Sequence, residues 1–177
     1  MRVHETLTGI GADTVLLYPQ WLPGTHAPEG PIDRFAGLRI SANGAPVIWK
    51  RDPLDVYAFH VYPAAGIKSI DIDFEYPSPT STKVADMEIS RDVLFVEWNS
   101  LILYPAGYFA RQIPVQASLT LPLDWKYGSA LEVQSASASM ESQGRRRWKD
   151  CAAAATSWST WTPRASSKRQ AISSASA

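Results

Sequence analysis

The sequence holds one cysteine, Cys151, so no disulfide can form within the chain and no cysteine-rich metal site exists. Histidine is also scarce, with His4, His26 and His60 far apart. A zinc peptidase sets two imidazoles on one helical face beside a carboxylate base, in the order His-Glu-x-x-His. Here His4 and Glu5 are followed by Thr6, Leu7 and Thr8, so the second imidazole is missing. No zinc motif can be built from these residues, and each lone histidine reads as structural. An excess of one charge is absent too. The formal net charge is +0, which leaves no field to draw the chain to nucleic acid or to an anionic membrane. No apolar run reaches the length of a membrane span, and the opening MRVHETLTGIG has no signal-peptide core. The compartment is therefore left open. Neither a Gly-x-Ser-x-Gly elbow nor a glycine-rich phosphate loop occurs.

What is present suits a globular domain. Of 177 residues, 45% are hydrophobic and 19% charged, enough for one domain with or without a tail. Composition shifts near residue 134. Before it, short apolar or alternating runs are punctuated by Pro, Gly and Asn. After it, residues 135–177 are rich in Ser, Ala and Arg and follow no period, which reads as a disordered or non-native tail.

The first part reads as strands. Ile70, Ile72, Phe74 and Tyr76 alternate with Asp71, Asp73 and Glu75, a period of two with one buried and one wet face. Val115, Ala117, Leu119 and Leu121 repeat that pattern. Leu38 and Ile40 lead to Asn43-Gly44 and then to Val47, Ile48 and Trp49, a hairpin signal because Asn and Gly accept positive φ. Val56 to Val61, Val93 to Trp98, Leu101 to Tyr104, Thr14 to Tyr18 and Arg2 to Leu7 complete the set. About eight short strands with close turn signals predict an all-β, antiparallel β-sandwich over residues 1–134.

Few residues in this set suggest chemistry. Asp71, Asp73 and Glu75 form an acidic strand face that reads as solvated, with a hard-cation site as the lesser alternative. Asp52 and Asp55 flank Pro53 in a turn. One long connection, Tyr18 to Phe35, carries Pro19, Pro23, Pro28 and Pro31 with Gly24 and Gly30, which excludes it from strand or helix interiors. A long ordered loop in a small domain commonly serves a function or an interface.

Two blocks carry a family resemblance. The first runs from Leu16 to Val61, with Trp21, Pro23, Gly24, His26, Gly30, Pro31, Asp33, Gly37, Asn43, Gly44, Trp49, Arg51, Asp52, Pro53, Asp55, Tyr57 and Phe59. The second runs from Val96 to Glu132, with Trp98, Asn99, Tyr104, Pro105, Gly107, Tyr108, Pro114, Leu121, Pro122, Trp125 and Ala130. Together they resemble the N-terminal domain of the glycyl aminopeptidase family of metallopeptidases, family sixty-one. The resemblance implies a β domain that precedes a thermolysin-like zinc domain in proteins favouring small N-terminal residues such as Gly and Ala. Zinc is expected in those full-length relatives and no cofactor in this chain. The expected partner is the catalytic domain, with Trp21, Pro23, Gly24, His26, Asp33 and Arg34 as candidate interface residues. Read in a shifted frame with GC-rich codons, the tail yields text similar to the family's continuation, so a frame-shift between about Ser135 and Asp150 is expected. The alternative is a stand-alone sandwich that binds a ligand through exposed aromatics.

Overall fold

A computed structural model describes residues 1–22, 26–77, 87–89, 91, 93–109, 112–122, 125, 127–128, 145–147, 151–152 and 173–176. The strands are β1 (Arg2–Thr8), β2 (Thr14–Leu17), β3 (Ala36–Ala42), β4 (Ala45–Pro46), β5 (Ile48–Arg51), β6 (Ala58–Tyr62) and β7 (Ser69–Glu75). They continue with β8 (Glu88–Ile89), β9 (Leu94–Phe95), β10 (Tyr104–Pro105), β11 (Ala117–Pro122), β12 (Tyr127–Gly128), β13 (Arg145–Arg147), β14 (Cys151–Ala152) and β15 (Ser173–Ser176). Turns of 3-10 helix at Ile32–Arg34 and Trp98–Ser100 interrupt them. No α-helix occurs among the described residues, as the all-β reading expects.

Two sheets face each other. The larger has the order β13-β11-β15-β1-β7-β3-β4 and the smaller β10-β2-β6-β5. Pairing is antiparallel except between β11 and β15 and between β12 and β14. One core lies between the sheets. Val3, Leu7, Ile40, Ile70, Ile72 and Phe74 enter it from the larger sheet, and Leu16, Phe59 and Val61 from the smaller. Burial of these faces drives the layering, because each strand has one apolar side to remove from water.

The period-two reading of β7 is met. Ile70, Ile72, Phe74 and Tyr76 are buried, and Asp71, Asp73 and Glu75 face outward. The register with β1 sets Arg2 opposite Glu75, His4 opposite Asp73 and Thr6 opposite Asp71. His4 Nδ1 lies 2.8 Å from Asp73 Oδ1, and Thr6 donates to Asp71 Oδ1 at 2.8 Å. The acidic face is thus a ladder of cross-strand polar pairs, and no group of three metal-ligating side chains occurs among the described residues. The Asn43-Gly44 hairpin forms as well. Asn43 has φ 49° and Gly44 φ 78°, the two left-handed residues that a type I′ turn requires. Beyond it, Val47 N–H still bonds to Ile40 C=O at 2.8 Å, after which β5 joins the other sheet.

Several expected strands are shorter than their patterns; β11 starts at Ala117 and not Val115, and β2 ends at Leu17 and not Tyr18. β6 starts at Ala58 and not Val56, because Asp52 and Asp55 fold residues 52–57 into a turn. Val93 to Trp98 keeps only β9 as strand, and the chain then closes into the 3-10 turn at Trp98. Of Leu101 to Tyr104, Leu101 still belongs to the end of the 3-10 turn, and the run pairs only through β10. Its apolar run is continuous because both sides are covered. Leu101 and Leu103 enter the main core, while Ile102 joins Ile113, Tyr104 and Val115 in a second cluster. After residue 134 only β13, β14 and β15 are described, so the reading of 135–177 as a disordered or frame-shifted tail falls largely outside the described residues.

Candidate functional site

The long loop begins and ends in the core. Tyr18 and Phe35 are both buried, and their rings sit 5.3 Å apart. Phe35 also meets Phe74 at 4.6 Å and Phe59 at 5.4 Å, so it touches rings from both sheets. Such tilted pairs add attraction beyond area burial. A hydrogen bond then closes the neck: Gly30 N–H donates to Gln20 C=O at 2.9 Å. The backbones approach so closely that a Cβ on Gly30 would lie 1.9 Å from the Pro19 carbonyl oxygen. A loop whose ends touch in this way is an Ω-type excursion. Just past the neck, Trp21 is 63% exposed, and Leu22 beside it is buried.

The remaining expected interface residues are distributed along this loop. His26 and Asp33 are exposed, and Arg34 is half-buried in the 3-10 turn. Pro23 and Gly24 lie outside the described residues.

A second exposed element leans on the loop. Tyr57 Oη donates toward the Gly30 carbonyl at 3.0 Å, with the Pro28 carbonyl at 3.3 Å. Tyr57 closes the 52–57 turn, which is pinned from within. Asp52 Oδ1 accepts from Leu54 N–H at 2.8 Å and Asp55 N–H at 2.9 Å, and Asp55 Oδ1 accepts from Tyr57 N–H at 2.9 Å. Aspartates that cap their own downstream amides stabilise turns of this kind. The other Asp52 oxygen meets His60 Nε2 at 2.7 Å. That bond first, and the two amides next, hold the Asp52 carboxyl down at about 2. The turn carries Leu54, 95% exposed, and Val56. The turn was readable from the sequence. The His60 partner was not, because it depends on β5 pairing with β6.

The second family block is mostly internal. Trp98 and Asn99 are buried, Tyr104 is half-buried, and Gly107 (φ 87°) and Tyr108 are exposed at a turn. Burial, helped by Asp55, lifts the Tyr104 hydroxyl above its ordinary range. Two side chains fasten the block to the sandwich. Tyr18 Oη donates to the Ser100 carbonyl at 2.8 Å, and Leu103 N–H donates to Glu5 Oε2 at 3.0 Å. Burial also lifts the Tyr18 hydroxyl well above its ordinary value.

The histidines do not converge. His4 and His60 each have an aspartate partner on different sheets, and His26 is on the exposed loop. Chemically the described surface offers a stiff aromatic projection and a stiff apolar turn, features suited to contact.

Comparison with known proteins agrees with this architecture. The sequence matches the Peptidase M61 N-terminal domain over residues 1–153. No curated protein matches the chain. The fold is similar to that of an aminopeptidase N family protein from Idiomarina loihiensis, with a TM-score of 0.52 and 17% identity. That similarity covers 60% of this chain and 17% of the other, so the chain spans a small part of that protein's length. The two sequence blocks, the sandwich they build and the match over residues 1–153 together establish that this chain belongs to the Peptidase M61 N-terminal domain family.

Proposed function

We propose that this chain is the non-catalytic N-terminal domain of a zinc aminopeptidase preferring Gly and Ala, and that its loop from Trp21 to Arg34 packs on a thermolysin-like catalytic domain. Zinc belongs to that catalytic domain. The described histidines and acids of this chain are engaged with one another or lie apart, and none forms a ligand set. The domain then acts by support and positioning, with no bond-breaking step of its own.

One observation carries the reading: Trp21 is 63% exposed on a loop whose neck is closed by the Tyr18–Phe35 contact and the Gly30–Gln20 hydrogen bond. A large aromatic held outward on a pre-ordered backbone loses little entropy on docking, which is how interface anchors work. The test uses a full-length family member that carries this loop, with Trp21→Ala and His26→Ala together. The expected result is a fall of about tenfold in kcat/KM, or separate unfolding of the two domains, worth about 1.4 kcal/mol of lost coupling. The same changes in the isolated chain should leave its urea midpoint unmoved. Unaltered kinetics and joint unfolding, with a destabilised isolated chain, would show that the loop merely caps its own sandwich.

A further inference from the structure

Among the described residues, Glu5 is the one acid turned into the core. Alternation along β1 puts it on the same face as Val3 and Leu7, and its register partner on β7 is Ile72. It is wholly buried. One carboxyl oxygen accepts the Leu103 amide, and the other has no hydrogen-bond partner. A carboxylate so placed would be an uncompensated charge in an apolar interior, and a buried acid avoids that cost by keeping its proton. The outward groups of the same strands, Arg2, His4, Asp71, Asp73 and Glu75, sit on the opposite face of the sheet. Of the other ionisable groups with buried atoms, Tyr18, Tyr76 and Arg34, none acts on this carboxyl. Burial raises its proton affinity and the Leu103 amide lowers it by less.

The bond spans 98 residues and reaches a segment that no ladder ties to β1. Tyr18 Oη also bonds to that segment, 98–103, at the Ser100 carbonyl, and the segment's apolar side chains pack in the two cores. It also carries two buried oxygens, Asn99 Oδ1 and Ser100 Oγ, without hydrogen-bond partners. Its polar groups are therefore thinly satisfied, and each remaining bond matters more.

We propose that Glu5 is a protonation-controlled staple that fastens the 98–103 segment to the first strand, so that the domain loosens there as pH rises. This is independent of the docking role proposed above. The folded carboxyl binds its proton more tightly than the unfolded one, whose ordinary value is 4.5. Its stabilising contribution is therefore complete below that value and is lost as pH rises through the folded value. Within this window the unfolding constant grows about tenfold per pH unit, since the native state holds one more proton.

The test is urea unfolding of the whole chain and of its E5Q variant at several pH values above about 4.5. Glutamine still offers an acceptor to Leu103 and cannot ionise. The wild-type unfolding constant should rise about tenfold per unit more steeply than that of E5Q. Parallel profiles would overturn the proposal. A second measurement needs no variant: infrared spectra of the wild-type chain carrying carbon-13 glutamate. A protonated carboxylic acid persisting at about pH 6, well above the ordinary glutamate range, supports the staple, and complete ionisation there refutes it.

Discussion

Gly30→Ala is the sharpest probe of the loop neck. The new Cβ would stand 1.9 Å from the Pro19 carbonyl oxygen, 3.0 Å from its carbon and 3.1 Å from the Gln20 Cα. All three are backbone atoms, so no side chain can swing aside. The neck must open by more than an ångström. Two hydrogen bonds go with it: Gly30 N–H to Gln20 C=O at 2.9 Å, and Tyr57 Oη to Gly30 C=O at 3.0 Å. At roughly 1 kcal/mol each, with about 1–3 kcal/mol for overpacking, the loss should be about 3–5 kcal/mol. Gly11→Ala is the control, because nothing lies within 4 Å of its Cβ position. There the change should be neutral or stabilising by up to about 1 kcal/mol, through a stiffer unfolded chain. Urea unfolding of both variants decides the matter, and amide exchange at Gly30 reports the neck itself. If the two variants differ by less than about 0.5 kcal/mol, the neck is not the tight closure described above.

Phe35→Ala removes a ring that meets Tyr18, Phe59 and Phe74 and should cost about 3–5 kcal/mol, read from the denaturation midpoint. At Asp52 the pH dependence has the opposite sign to that at Glu5. The folded value is held down at about 2 against an ordinary 3.8, so its contribution is complete above 3.8 and is lost as pH falls toward 2. His60→Ala takes away the largest cause and should shrink that acid-side loss, measured by unfolding at a series of low pH values.

Much of this architecture is legible in the residues. Alternation in β7 and the Asn43-Gly44 turn are local signals, and both keep their meaning in the fold. The loop is also legible as a loop, because its prolines allow little else. Three features are not. The two-sided burial of Leu101 to Leu103 depends on the 113–115 segment packing behind it. The His60–Asp52 bond depends on which strands pair. The inward turn of Glu5 follows from its place between Val3 and Leu7 in β1, but a carboxylate at that position reads as a break in the pattern, because charged groups ordinarily face water. Pairing over long sequence separations decides the first two, and no window of neighbouring residues contains it.

The passage of the chain from β4 to β5 has a mechanical meaning. A single residue, Val47, hands the chain from the larger sheet to the smaller. It stays bonded to Ile40 on one side and is followed at once by β5, whose partner is β6, on the other. Neither layer can peel away at this edge without pulling on the other. A load applied through the 52–57 turn enters β5 and β6 of the smaller sheet, and Val47 hands part of it on to β4 of the larger.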